Sequence, residues 1–583
     1  MAYDSFTLDA IVQEIKPLLI QGKINRIHQP DPHTVLLRIH SQSGQRKLLL
    51  SAHPDHGRLV ITQSSPENPA KAPMFLMVLR KWLENARIQD IVCTPGERVA
   101  CLCLETRDEL GDPRQLKLII EIMGKHSNII LVNEENAIID GIRRYNSSLS
   151  RYREVLPGKP YLPPPPMHKL SFPLVDENAL AEVLWEAPGQ TVESQLKAKF
   201  KGMSPLLTSH LLAKAGLTKD TLTESLGLRE ITLLQQEMTQ IQQMQQNNAY
   251  QPCQRIKQGI IQDFAPMIPA CWPKEECQPL ASMNEAVDLF YQAKEAAQAF
   301  RTRQNALGKI LRHHITRMLK KIGLEERDLY QCEAAEEYKT AGDLLAANLW
   351  YLEKGAAQVE LPSFEDPEQR VVVTMDPAKT PQENVQQYYR RYAKAKKARG
   401  AIEQQLTANR EELYELQTME QALTDADSTE DLIALEKEAI AGGYLRAMDK
   451  GKGKGQEKQP APLQPRKVIT KEGFVILIGR NNKQNDKLSL RMAKPEDIWL
   501  HAQKIPGSHV IIQKEGREIP STVLEEAAAY AAWFSKGREA GHVAVDWVEA
   551  DKLKKPAGAR PGFVTYTGQK TLYVQAKEPE KYA

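Results

Sequence analysis

Short, strand-like apolar runs recur through the first part of the chain, at 23–28, 34–40, 47–51, 58–62, 88–93, 98–105, 116–123, 127–132 and 137–141. Runs of this length, too short for a helix and bounded by turn residues, read as strands. Turn residues separate the runs, so the pattern predicts an antiparallel, barrel-like or sandwich core. One stretch, 73–85, has a helical period and a proline near its start. Pro157-Gly158 and the prolines of 163–166 then read as a stiff linker.

The pattern changes after that linker. Residues 170–282 are helical and polar, and Ser204-Pro205-Leu206 opens a helix that ends at Gly216. That helix fits one half of a helix–hairpin–helix module. Near-heptad spacing follows at Phe300, Leu307, Leu311, Ile315, Met318 and Ile322. It returns at Ile402, Leu406, Leu413, Leu416 and Leu423, with Asn409 and Glu420 as polar breaks. Two such helices predict an antiparallel coiled-coil arm with a small module at its tip; two helices of an ordinary bundle fit the same spacing. A Lys-Gly stretch with six Lys/Arg and one Glu over 450–467 reads as a flexible basic linker. Beyond it a new α/β domain begins, with strands at 474–478, 498–501, 510–513, 542–546 and 563–566 and a helix at 523–536.

The fold class is therefore multidomain α+β. The expected divisions are an N-terminal α/β domain at 1–168 and a helix–hairpin–helix region at 169–282. The coiled-coil arm follows at 283–445, with its tip module at about 333–380. A basic linker at 446–467 leads to a C-terminal α/β domain at 468–583.

Charge alters this picture little. Lys+Arg 77 against Asp+Glu 74 leaves +3 over 583 residues, so any basic surface must arise by local segregation. The start Met1-Ala2-Tyr3-Asp4 lacks the positive charge and apolar run of an export signal, and no apolar run is long enough to span a membrane. The 7 cysteines contain no CxxC pair and read as reduced structural thiols. No Walker loop, GxGxxG, HExxH or kinase signature occurs, so neither a cofactor nor a metal is expected.

Three clusters carry candidate chemistry. In the first, Asp497, Trp499, His501, Lys504, Gly507, Ser508 and His509 surround a strand–turn–strand. The Gly507-Ser508 amides, with His501, Lys504 and His509, suit a phosphate; a solvated turn with two hydrogen-bonded histidines fits as well. Asn481, Asn482, Lys483, Gln484 and Asn485 upstream, and Lys552, Lys554, Lys555 and Arg560 downstream, extend a donor-rich face suited to an RNA backbone. Asp497, His501 and Ser508 supply the residue types of a hydrolase triad but no nucleophile elbow. In the second cluster, Glu121, Ile122, Met123, Gly124, Lys125, His126, Ser127 and Asn128 lie between two strands and read as a nucleotide contact or a polar hairpin turn. In the third, Glu97-Arg98 follows Pro95-Gly96: Arg98 suits a base edge or phosphate, Glu97 can orient it, and a surface ion pair is the plainer reading. Arg143, Arg144, Arg151 and Arg153 add charge before the proline linker.

In this order the clusters resemble the NFACT family and its bacterial RqcH branch. NEMF is the eukaryotic counterpart, and some bacterial members are described as fibronectin-binding protein A homologues. The resemblance covers essentially the whole chain. It includes Arg151…Pro157-Gly158…Tyr161-Leu162-Pro163-Pro164, Ser204-Pro205-Leu206 and Asp376-Pro377…Thr380-Pro381…Asn384…Tyr388…Tyr392…Lys394-Ala395-Lys396. Lys555-Pro556…Gly558-Ala559…Pro561-Gly562 completes it.

The resemblance implies a cytoplasmic ribosome quality-control factor that is not itself an enzyme. Such a factor binds obstructed large ribosomal subunits carrying peptidyl-tRNA. It recruits alanyl-tRNA for mRNA-independent alanine tailing, with peptidyl transfer left to the ribosome. Asp4, Glu97, Arg98 and the 121–128 turn would contact tRNA, the arm would reach the rRNA of the stalk base, and the 497–509 block would contact RNA. A small RNA-binding factor of the same pathway is a further expected partner. The N-terminal domain also resembles that of formamidopyrimidine-DNA glycosylases, but Ala2-Tyr3 replaces their proline and glutamate, so glycosylase activity is disfavoured. Glu97 stands where the family usually has aspartate. That departure motivates an alternative, subunit binding without tailing; a fibronectin-binding surface adhesin is the alternative of another class.

Overall fold

The computed structural model describes residues 3–107, 110–148, 150, 152–165, 168–171, 176–333, 335–366, 368–446, 463–580 and 582. Arg151 and most of the basic linker fall outside them. The chain divides into two compact units, 1–297 and 298–583.

In the first unit the strand-like runs form nine antiparallel strands: β1 (Lys23–Asp31), β2 (Thr34–Ser41), β3 (Gly44–Ser51), β4 (Arg58–Ile61), β5 (Arg87–Cys93), β6 (Val99–Arg107), β7 (Pro113–Glu121), β8 (Asn128–Val132) and β9 (Ile138–Gly141). Their order is β4-β3-β2-β1-β5-β6-β7-β8-β9. The expected barrel-like or sandwich core is thus two meanders in one sheet. They join where Asn85 N–H donates to Ile24 C=O (2.8 Å) and Ile88 N–H to Gly22 C=O (3.0 Å). Both meanders feed one core, Leu37, Leu50 and Leu59 from the first and Leu102, Leu118 and Leu131 from the second.

A helix that the strand reading passed over, α1 (Ser5–Leu19), lies in this core. Leu8, Ile11, Ile15 and Leu19 share its apolar face and are fully buried, each worth about 1.5–3 kcal/mol. The expected helix at 73–85 is α2 (Met74–Leu83), with Pro73 as its N-cap. Tyr3 is buried with its hydroxyl donating to Leu59 C=O at 2.9 Å.

Residues 176–282 hold the expected helices, including Pro205–Lys214 with the Ser204 hydroxyl as its cap and Gly216 in left-handed backbone. They also hold a three-stranded sheet, Cys253–Lys257, Ile260–Ala265 and Cys277–Pro279, which the polar composition concealed.

Two long helices, Met283–Glu333, which starts within the first unit, and Pro381–Thr424, pair antiparallel. Gln304 reaches Leu423 C=O at 2.8 Å, whereas Lys321 meets Asn409 at 3.0 Å, so one number rises as the other falls. Leu307, Leu311, Ile315, Leu416 and Leu423 bury together as spaced. Asn409, the polar break, is buried and donates to both oxygens of Glu325 at 2.7 Å. One buried polar pair in an apolar seam pins the register. At the tip, helix Ala335–Ala347 packs with the hairpin Gln358–Pro362/Arg370–Thr374 around Leu344, Leu345, Leu361 and Val373. The motif residues there hold the chain: Thr380 and Glu383 form a capping box, Asn384 accepts from Asp376 N–H, and Tyr388 donates to Thr374 C=O. A further helix, Thr429–Ala441, packs against the paired helices.

The C-terminal sheet has six strands in the order Arg466–Ile469, Val475–Ile478, Val510–Gln513, Ile498–Ala502, Val543–Glu549, Lys570–Val574. Its first strand begins within the stretch read as linker, and helix Ser521–Trp533 covers one face. The other face buries Leu477, Trp499, Ile511 and Val548 under Leu488 and Leu553. Among the described residues no helix is long and apolar enough to cross a membrane.

Candidate nucleic-acid interface

A cavity of about 410 Å³ in the first unit collects Asp4, Glu97, Arg98 and Met123, with Phe200 and Met203 as apolar wall. In the sequence the Glu97-Arg98 pair, Met123 and Asp4 stand far apart. The strand ladder unites them: β6 and β7 pair Val99 with Glu121, and Ile122 N–H donates to Arg98 C=O at 2.9 Å.

Asp4 caps α1, accepting from Thr7 N–H at 2.8 Å, which fixes its carboxylate at the cavity wall. Arg98 is half-buried. Burial pulls its pKa down, and the neighbouring Asp4 and Tyr291 oppose that pull. Glu97 lies 4.0 Å from Lys201 Nζ, so its carboxylate is loosely held. Two glycines make this corner possible. Gly96 (φ +70) and Gly202 (φ +74) are back to back, and a Cβ on Gly202 would lie 3.1 Å from Ser5 Oγ and 3.5 Å from Gly96 Cα.

The 121–128 turn divides by burial. Lys125 and His126 are exposed at the tip of a 3-10 turn, Gly124–His126, and Met123 is half-buried beside the cavity. Glu121, Ile122 and Asn128 are buried, which corrects their reading as direct contacts. Glu121 pairs with Arg153 and accepts from the Tyr161 hydroxyl at 2.9 Å. Asn128 donates to Arg143 C=O and accepts from Arg143 N–H. Arg144 is held by Asp140 at 2.7 Å, so of the expected cations before the prolines Arg143 stays with the turn, donating to Lys125 C=O.

The C-terminal block is mostly internal. Asp497 is fully buried, accepting from Lys494 N–H (2.8 Å) and Lys514 N–H (2.9 Å). Trp499, His501 and His509 form a buried aromatic cluster with ring centroids 5.2–5.7 Å apart. Burial pushes the His501 pKa down to about 4 and that of His509 well below the ordinary histidine value, so both are neutral. The His509 ring is bonded to Ser489 Oγ at 2.7 Å.

Of the two amides expected to cradle an anion, that of Ser508 is engaged within the fold. Ser508 N–H donates to Phe534 C=O (2.9 Å), and Lys536 N–H to Pro506 C=O (2.9 Å). Gly507 is buried there because a Cβ would meet that of Ser535 at 2.9 Å. No hydrogen bond links Asp497, His501 and Ser508 among the described residues, so the triad reading lacks its geometry. Lys504, in left-handed backbone, is exposed at the tip of the turn.

The flanking segments differ from expectation too. Asn481 caps helix Asn482–Lys487, and Asn482, Gln484 and Asn485 are buried. Lys555 pairs with Asp486, and Arg560 with Glu412, Glu415 and the Tyr444 hydroxyl. Lys483, Lys487, Arg491, Lys552 and Lys554 are exposed, so the basic surface of this domain lies beside the signature block.

The molecule is thus a multidomain protein with a cleft lined by Asp4, Glu97 and Arg98 at one end of the sequence and an α/β domain with exposed lysines at the other. Its residues 4–458 match the model of the NFACT N-terminal and middle domains, and 465–568 match the NFACT protein RNA binding domain. The chain belongs to the NFACT family. It is similar to the Rqc2 homolog RqcH of Bacillus subtilis strain 168, at 34% identity over 98% of both chains. The Rqc2 homolog RqcH of Streptococcus pneumoniae strain R6 is 33% identical over 98% of both. Among solved structures, the N-terminal part of the fibronectin/fibrinogen-binding protein from Streptococcus suis is 32% identical; the match covers 50% of this chain and 99% of that one, with a TM-score of 0.41.

Proposed function

We propose that this protein is a ribosome-associated quality-control factor that binds obstructed large subunits carrying peptidyl-tRNA and recruits alanyl-tRNA for alanine tailing without mRNA. The observation that carries the reading is its end-to-end kinship with Rqc2 homologues, 98% of each chain. The protein supplies positioning, and the ribosome forms the peptide bonds.

In this reading the cleft receives the anticodon arm. Arg98 presents planar donors to a base edge or phosphate, Asp4 keeps it charged in a half-buried setting, and Glu97 accepts from a base amino group. Lys125 and His126 meet the backbone, while Glu121, Ile122 and Asn128 hold the turn that carries them. In the C-terminal domain Asp497, Trp499, Gly507, His501 and His509 set the shape of the turn, and Lys504 and the Ser508 side chain face RNA.

The test is to purify the tagged protein from cells at low salt and sequence its RNA. Large-subunit rRNA with one enriched tRNA species is expected, and Arg98→Ala should lose the tRNA while keeping the rRNA. Ribosomal RNA without tRNA would reduce the function to subunit binding. Recovery at the cell surface with fibronectin and without RNA would overturn it.

A further inference from the structure

Away from the cleft, the outer face of the first meander carries a row of cations. Arg26 of β1 is directly opposite Arg38 of β2, and Arg38 is directly opposite Lys47 of β3. One step along the strands, Arg87, Lys23 and His40 are likewise in register. Strands lie about 4.8 Å apart, so the three-cation row spans about 10 Å, one Debye length at 0.1 M salt. Like charges in directly opposed positions destabilise a sheet.

Among the described residues no carboxylate pairs with Arg26, Arg38 or Lys47. Lys47 Nζ rests on uncharged acceptors, Gln63 C=O (2.9 Å), Ser64 C=O (3.3 Å) and Ser65 Oγ (2.5 Å). Asp288, against Thr62 and Gln63 behind the rim, is buried and couples to Arg58. The imidazole of His28, on the same meander, registers the excess charge: after burial, Arg38, Arg80 and Arg26 push its pKa down.

The row opens into a groove of about 350 Å³ where Asn25, Gln45 and Gln63 join Arg38, Arg46 and Lys47. Side-chain amides both donate and accept, which suits sugar hydroxyls and base edges beside a phosphate. No large apolar side chain of β1–β4 is exposed, so the face has nothing to insert into a bilayer.

We propose that the Arg26–Arg38–Lys47 face binds the phosphate backbone of RNA at a second contact, separate from the Arg98 cleft. The proposal rests on the reading of the chain as an RNA-binding factor and adds a surface that the motif clusters do not contain. Bound phosphates supply the counter-charge that the fold withholds.

The test uses the full chain and a fluorescein-labelled tRNA transcript, with anisotropy titrations over a range of salt. Arg26→Gln/Arg38→Gln is compared with wild type, with Arg98→Gln as the cleft variant, and each is melted to verify folding. Two lost phosphate contacts should make the slope of log K against log salt shallower by about 1.5. Melting of the double variant should stay level or rise, because a like-charge repulsion is gone. An unchanged slope in the double variant, with Arg98→Gln weakened, overturns the second contact and leaves the proposed function standing. Absence of RNA binding by wild type overturns both, and capture by phosphatidylserine vesicles in place of RNA would assign the face to membrane.

Discussion

Arg153 closes on Glu121 through two parallel hydrogen bonds, Nη1 to Oε1 at 2.7 Å and Nη2 to Oε2 at 2.5 Å, with both side chains almost wholly out of water. The same guanidinium donates to Leu162 C=O at 2.7 Å. The pair ties the end of β7 to the segment that leads into the prolines, and the turn bearing Lys125 and His126 grows from that anchor. An acidic residue inside a motif that reads as a nucleotide contact is therefore the fastener of the turn.

Arg153→Ala strands a buried carboxylate, and removal of one partner of such a pair costs about 3–5 kcal/mol. Calorimetry should show the transition of the first unit lowered and that of the second unchanged. Replacing both residues by methionine should recover most of the loss. A single variant that melts like wild type would show the pair to be dispensable.

The two buried histidines predict acid sensitivity of the C-terminal domain. Each is neutral when folded, with its pKa below the ordinary 6.5. The folded state gains their stability fully above pH 6.5, and loses it as pH falls through that value toward about 4, where His501 itself takes up a proton. His501→Gln should flatten the fall in melting temperature between those limits. An equally steep fall in the variant would place the acid response elsewhere.

Glu438, on the helix Thr429–Ala441, behaves in the opposite sense. Burial, with Glu415 adding to it, pushes its pKa up to about 7, while Asn482 and Lys483 pull the other way. The folded state holds this proton, so stability is full below the ordinary 4.5 and is lost as pH rises through about 7. Glu438→Gln should raise stability at pH 8, on the order of 1–3 kcal/mol, and leave it nearly unchanged near pH 4.5. A variant less stable than wild type at pH 8 would contradict the assignment.

Gly507→Ala tests the close contact with the chain beyond helix Ser521–Trp533. Its Cβ would sit 2.9 Å from Ser535 Cβ and 3.2 Å from Phe534 C=O. Overpacking of this kind costs about 1–3 kcal/mol. Urea unfolding followed by tryptophan fluorescence would read it, and an unchanged midpoint would mean that the turn has room to give.

The periodicities were legible because each follows from one element meeting one core. Short apolar runs between turn residues placed all nine strands of the first sheet, and heptad spacing placed Leu307, Leu311, Ile315, Leu416 and Leu423 in one seam with Asn409 as its polar pin. The motif order identified the family, since residue types and spacing are properties of the chain itself. α1 was passed over although Asp4 caps it and Phe6, Leu8, Ile11, Val12, Ile15 and Leu19 repeat at helical spacing. What the sequence did not contain was which polar residues face water. Asp497, His501, His509, Glu121 and Asn128 looked like ligand contacts, yet each is buried inside the fold. The Arg26–Arg38–Lys47 row was equally hidden, because its members are neighbours only through strand register. Local periodicity is dictated by the chain, whereas burial and partnership of a polar group depend on segments brought together from far along it.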